Sequence, residues 1–132
     1  MMYVKTKVLQ SDIHGLGLFA DEFIPKGTIL WKFTPGFDQK FTQTEIDTLP
    51  ERAQKYLKFY AYLSKKSNKH IFPVDDGKYF NHSDDPNSKS AHFDDEEEVV
   101  TRAIKDIQKG EEITDNYNLF EEKSPDSLPE DY

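Results

Sequence analysis

Short apolar runs at Val4 to Leu9, Leu18 to Asp21 and Thr28 to Phe33 read as strands, punctuated by Gly15, Gly17, Pro25, Gly27, Pro35 and Gly36. The period then changes. Ala53, Tyr56, Leu57, Tyr60 and Ala61 fall at i, i+3, i+4, i+7 and i+8, which predicts a helix with one apolar face. Pro50 suits the first turn of that helix. Thr44, ahead of Glu45 and Ile46, is a candidate cap for a shorter one. Strand patterning returns at His70 to Val74, at Glu98 to Ala103 and, more weakly, at Glu112 to Asn116, with Asp75-Asp76-Gly77 as a turn. From Glu121 the chain turns acidic around Pro125 and Pro129, a tail with little structure of its own.

One internal similarity bears on the fold. Ala20-x-x-x-Ile24-x-Lys26-Gly27-x-x-Leu30 matches Ala103-x-x-x-Ile107-x-Lys109-Gly110-x-x-Ile113. Two copies are too few for a solenoid. They predict two related hairpin-like units, each turning at Lys-Gly, within one β-rich fold.

Composition narrows the class. A chain of 132 residues is one domain, and its ten Phe, seven Tyr and one Trp argue against a wholly disordered one. No apolar run approaches ~20 residues, so no membrane-spanning helix is expected. Met1 to Gln10 lacks a basic flank followed by an apolar stretch, so no secretory signal is expected either. Cysteine is absent, which removes disulfides and zinc–thiolate sites and fits a cytoplasmic protein. A net charge of −8 disfavours direct nucleic-acid binding and favours basic partners. The charge is uneven. Residues 51–70 hold six Lys or Arg against one acid, and residues 71–98 hold nine acids against two lysines. Solvated faces explain such runs as readily as a binding role does.

Three segments are candidates for chemistry. Gly15-Leu16-Gly17-Leu18-Phe19-Ala20 fits G-x-G-x-x-A, but Pro25 and Gly27 leave no room for the helix a dinucleotide site needs. The glycines then serve a tight turn or the close approach of backbone to a ligand. Asn81-His82-Ser83-Asp84-Asp85-Pro86-Asn87 is the densest polar stretch, and a tight loop bonded to its own backbone accounts for it equally. His82, His92, Asp75, Asp76, Asp84 and Asp85 lack metal-ligand spacing, so no metal is expected. Gly110-Glu111-Glu112-Ile113-Thr114-Asp115-Asn116-Tyr117 is a turn, a strand and a tyrosine.

Taken in this order, the glycine turn, Phe80 through Asn87, and Gly110 through Tyr117 resemble the SET-domain family of protein lysine methyltransferases. The likeness spans roughly residues 3–120, with 37–73 as a variable helical insert. It implies a mainly β fold of several small sheets, of the SET or β-clip type. A C-terminal pseudoknot then brings the Asn-His segment beside Tyr117. It also implies S-adenosyl-L-methionine as methyl donor and lysine as acceptor, the two meeting through a narrow channel. Leu16 and Gly17 would offer backbone to the cofactor, Asn81 would bond its methionine part, and His82 would contact its adenosine part. Tyr117 stands at the catalytic tyrosine, and Phe120 is placed to pack on adenine. Asp84 stands where many relatives carry cysteine, and Ser90 where several place a channel aromatic. Tyr60, Tyr62 and Tyr79 are candidates for that lining.

The chemistry asks little acid–base help from the protein. Neutralising a free lysine at pH 7 costs roughly 4.6 kcal/mol. A cation ~4 Å away at an effective dielectric near 20 supplies ~4 kcal/mol of that, and the donor is itself a cation. The protein must then provide alignment and a dry channel. The implied partner is a basic, lysine-bearing protein, histone-like or ribosomal, drawn by the acids at 94–98 or in the tail. The chain would act as a monomer or homodimer, with Phe120, the tail or a second subunit closing the site. It would act in the cytoplasm, or in a nucleus if it is a viral or exported protein. The competing reading is a SET-like binding module that has lost transfer.

Overall fold

A computed structural model describes residues 1–117. Phe120 and the acidic tail at 121–132 lie outside the described residues. Strands β1 (Thr6–Gln10) and β2 (Leu16–Ala20) form an antiparallel hairpin, turning where Ser11 N–H donates to the Gly15 carbonyl at 2.7 Å. Gly15 sits at φ +45°, in the left-handed region that L side chains avoid. A second sheet orders β3 (Ile29–Lys32), β9 (Val100–Ala103) and β8 (Ser88–Ala91), all antiparallel.

The stretch read as a helical insert holds more than helices. It contains β4 (Gln39–Phe41), α1 (Gln43–Asp47), α2 (Glu51–Tyr60), β5 (Tyr62–Leu63) and β6 (His70–Phe72), and the strands form their own sheet in the order β4-β6-β5. Helix α2 buries Leu57 and half-buries Ala53, Tyr56 and Tyr60, the face its periodicity predicts. The cap of α1 is Thr42, not Thr44. Thr42 Oγ1 accepts from Glu45 N–H and the Glu45 carboxylate accepts from Thr42 N–H, a capping box that leaves Thr44 inside the helix.

The internal similarity turns out to be a pair. Ile24 and Ile107 exchange both backbone hydrogen bonds at 2.8 Å. Gly27 N–H donates to the Ala103 carbonyl and Gly110 N–H to the Ala20 carbonyl, each at 2.8 Å. Ala103 N–H donates to Thr28 and Ala20 N–H to Glu111, each at 2.9 Å. The two copies therefore face each other about a local two-fold. Their six apolar positions, Ala20, Ile24, Leu30, Ala103, Ile107 and Ile113, fall in one buried cluster with Leu18. A second cluster, Trp31, Phe33, Tyr62, Ile71 and Val99, joins the central sheet to the insert sheet, and Tyr117 packs on its edge.

The C-terminal segment crosses both regions. Ile113 N–H donates to the Leu18 carbonyl, and beyond it β10 (Thr114–Asp115) pairs parallel with β7 (Asn81–His82). A parallel pair requires a crossover, and β8 and β9 provide it. The architecture is the mainly β arrangement of several small sheets that the sequence implies. Among the described residues no helix is long and apolar enough to cross a membrane.

Candidate functional site

Pairing Asn81 with Thr114 and His82 with Asp115 places Tyr117 one turn beyond the Asn-His segment. Tyr117 N–H donates to His82 Nδ1 at 3.0 Å, and the two rings lie 5.3 Å apart. Since Nδ1 accepts, Nε2 carries the proton and donates it to Asp84 Oδ1 at 3.0 Å. The Tyr117 hydroxyl donates to the Phe80 carbonyl. Its lone pairs are then the part of the phenol that can receive a proton from a neighbour.

The glycine turn is locked to this strand pair from behind. Asn81 Nδ2 reaches the His14 carbonyl at 3.1 Å, the Leu16 carbonyl at 3.2 Å and Glu112 Oε2 at 2.9 Å. Ser11 Oγ lies within 2.9 Å of both Glu112 carboxylate oxygens. A Cβ on Gly17 would overlap that carboxylate, so the glycine makes room for the acid. The Asn81 amide hydrogens hold the turn, and only its Oδ1 remains to meet a ligand.

In front of the turn opens a cavity of about 800 Å³. Its wall includes Gly15, Leu16, Asn81, His82 and Tyr117, and also Tyr60, Tyr62 and Tyr79. Of the site residues the resemblance assigns, Leu16, Asn81, His82 and Tyr117 lie on the wall and Gly17 lies behind it. Its side faces Glu112, while Gly15 and Leu16 line the cavity. Phe120 lies outside the described residues. Ser90 is buried on the wall as expected for a lining position, but as part of a polar chain.

Several wall residues carry no sequence signal for a site. Trp31 contributes a buried Nε1–H with no hydrogen-bond partner among the described residues. Lys78 holds its ammonium 5.5–5.9 Å from the ring centres of Tyr56, Tyr60, Phe72 and Tyr79. Burial works against that charge, but a hydrogen bond to Tyr56 and the neighbouring phenols outweigh it and raise the pKa. Asp115, 2% exposed, accepts from Ser90 Oγ at 2.5 Å and from Asn116 N–H at 2.8 Å. Burial pushes its carboxyl up despite the opposing bonds from Ser90 and Asn116 and the pull of His82.

The acids expected to draw a basic partner are partly committed elsewhere. Glu96 pairs with Lys32 at 2.7 Å, and Lys40 pairs with Glu97 at 2.9 Å and Glu98 at 2.7 Å. Glu98 is buried, so of the 94–98 run Asp94 and Asp95 are left to act on a partner.

The SET-domain sequence pattern matches residues 15–118. "Histone-lysine N-methyltransferase, H3 lysine-36 specific" of Mycosarcoma maydis is 28% identical over 126 residues, covering 89% of this chain and 12% of its own length. The protein of that name in Candida albicans is 25% identical, covering 89% of this chain and 14% of its own. "Histone-lysine N-methyltransferase 2D" of Homo sapiens is 25% identical, covering 91% and 2%. The chain thus spans at most 14% of the length of these relatives. Among solved structures, a candidate histone methyltransferase of Plasmodium falciparum superposes with a TM-score of 0.61 at 24% identity, over 88% of this chain and 95% of that one. Chaetomium thermophilum Polycomb Repressive Complex 2, humanised and inhibitor-bound, gives a TM-score of 0.67 at 23% identity, over 90% of this chain and 16% of that one. At such identities the likeness is one of fold.

Proposed function

The chain belongs to the SET-domain family, and from that premise we propose that it transfers a methyl group from S-adenosylmethionine to the side-chain amine of a lysine in a basic protein. The observation that carries this reading is the parallel pairing of β7 with β10. It sets Asn81, His82 and Tyr117 around the cavity that the glycine turn also lines.

The cavity suits such a donor. Its volume of about 800 Å³ lies in the range of small-molecule sites, and its wall mixes apolar and aromatic side chains with a few polar groups. Leu16, Asn81 Oδ1 and His82 would hold the donor, which supplies an activated methyl group when bound. Among the described residues Lys78 is the one lysine on the wall, and its ammonium could meet a carboxylate. His82 cannot rotate freely, because Asp84 fixes one nitrogen and the Tyr117 backbone the other.

On the acceptor side the apolar residues and the Tyr117 hydroxyl align and desolvate the amine. Tyr62, Val99 and Trp31 offer apolar walls for an alkyl stem. The Tyr117 hydroxyl, oriented by Phe80, presents lone pairs that can receive an amine N–H and fix its direction. The test is incubation with isotopically labelled S-adenosylmethionine and a panel of lysine-rich proteins, read by mass spectrometry. Labelled methyl on lysine is expected. Its absence, with donor binding retained in calorimetry, would turn the assignment to a binding module.

A further inference from the structure

Asp115 is a buried carboxylate on the wall of a cavity and, among the described residues, no Lys or Arg pairs with it. Isolated buried charges are costly, and structures usually supply a counterion. Here the neighbouring donors favour the charged form but do not offset burial, and no cation among the described residues neutralises it. Ser90 has one hydroxyl hydrogen and gives it to Asp115, so the 2.7 Å contact between Ser90 and Thr101 must be donated by Thr101. Hydroxyl hydrogens from β9 and β8 thus point in sequence toward a carboxylate on β10. Its carboxylate accepts from the Ser90 hydroxyl and Asn116 N–H, and the Ser90 backbone N–H also acts on it, which leaves part of its roughly four-site acceptor capacity open. Around it on the same wall stand Trp31, Tyr62, Val99 and Tyr117, apolar surfaces that match an alkyl chain. Apolar flanks with one unneutralised anion describe a receptor for a primary alkylammonium.

We propose that Asp115 is the group that recognises the acceptor's ammonium, pairing with the lysine head while Tyr62, Val99 and Trp31 pack its stem. This assignment rests on the methyl-transfer reading for its biological sense, but not for its test. The ammonium bound by Asp115 must still lose its proton before transfer. The role assigned is recognition and placement beside the Tyr117 hydroxyl.

The probe is Nα-acetyl-lysine methylamide compared with its norleucine counterpart, which has the same stem and no ammonium. Titrations into the wild-type chain and Asp115→Asn are followed by chemical-shift changes. The wild type should prefer the lysine probe by about ten-fold. In Asp115→Asn the preference should fall below about two-fold, with donor affinity unchanged. No preference in the wild type, or the same preference in both proteins, overturns the assignment.

If Asp115→Asn does not fold, the wild type and Ser90→Ala decide. The groups around the carboxylate are the Ser90 and Thr101 hydroxyls, the Ser90 and Asn116 backbone N–H groups and His82 from β7, while His14 and Lys78 line the same cavity. Lysine preference should fall on acidification as Asp115 protonates, and the midpoint should move up in Ser90→Ala, which leaves His82 untouched. An unshifted midpoint overturns the assignment.

The labelled-donor assay separates the two claims. Lysine preference without transfer sinks methyl transfer and keeps Asp115. Transfer with an unchanged acceptor KM in Asp115→Asn does the reverse.

Discussion

Two carboxylates, Glu98 and Asp115, are equally hidden from solvent, each 2% exposed, yet their surroundings drive them in opposite directions. Burial alone would raise both. At Glu98 it is overcome by Lys40 at 2.7 Å and by the Ser64 hydroxyl, so the pKa is lowered. At Asp115 hydroxyl and amide donors are not enough, and the pKa is raised. The difference is a cation. Glu98 ties β4 of the insert sheet to the end of the loop before β9, so its counterion is built in. Asp115 stands on a cavity wall, where a counterion can come from outside. Burial marks neither residue as functional. The missing partner does.

The largest expected effect breaks the paired side. Lys40→Met removes the ammonium that lies 4.8 Å from the Phe33 ring centre and strands Glu98, and should destabilise the chain by about 3 kcal/mol. Chemical denaturation measures it. An unchanged midpoint would mean Glu98 owes little to Lys40. On the cavity side, Tyr117→Phe should leave donor binding intact and lower turnover at least ~10²-fold, because the oriented hydroxyl is lost. Equal turnover in the two proteins would remove Tyr117 from the mechanism.

Asp115→Asn sharpens the contrast through stability. Removing a charge that burial disfavours should raise the melting temperature at neutral pH, at the expense of acceptor recognition. The pH dependence follows from the signs. Glu98, with a lowered folded pKa, contributes stability that is present above its unfolded pKa and is lost as pH falls through the folded value. Asp115, with a raised folded pKa, imposes a penalty at neutral pH that vanishes as pH falls through that value. The melting advantage of Asp115→Asn should therefore shrink on acidification. A constant gap from pH 7 to about pH 4 would contradict the raised value. The smallest effect concerns long-range attraction. With Glu96 to Glu98 paired internally, Asp94 and Asp95 leave only weak steering in the described part of the chain. The acceptor KM should rise roughly two-fold between low and physiological salt.

Much of the site was legible locally. The glycine turn, the Asn-His segment and Tyr117 each have a local pattern, and the two Lys-Gly copies match directly. Strands β5 and β7 could not be read, because two residues such as Asn81-His82 have no strand propensity of their own. They are extended only because a partner strand receives their hydrogen bonds. The Thr42 cap was readable, since Thr-x-x-Glu is a local rule that Thr44 does not satisfy. Glu112 was not. Its role depends on Ser11, Gly17 and Asn81, which only folding brings to it.

By itself the sequence determined the β-rich class, the helix face in the insert, the ordered motifs and the matching halves of the core. Those rest on periodicity, turn residues and spacing, which act over a few neighbouring positions. The tertiary structure alone decided that the halves pair with each other, that Gly17 backs the wall while Leu16 lines it, and that among the described residues one hidden acid has a cation and the other none. Those outcomes depend on contacts between residues tens of positions apart, and on the electrostatic environment that burial creates.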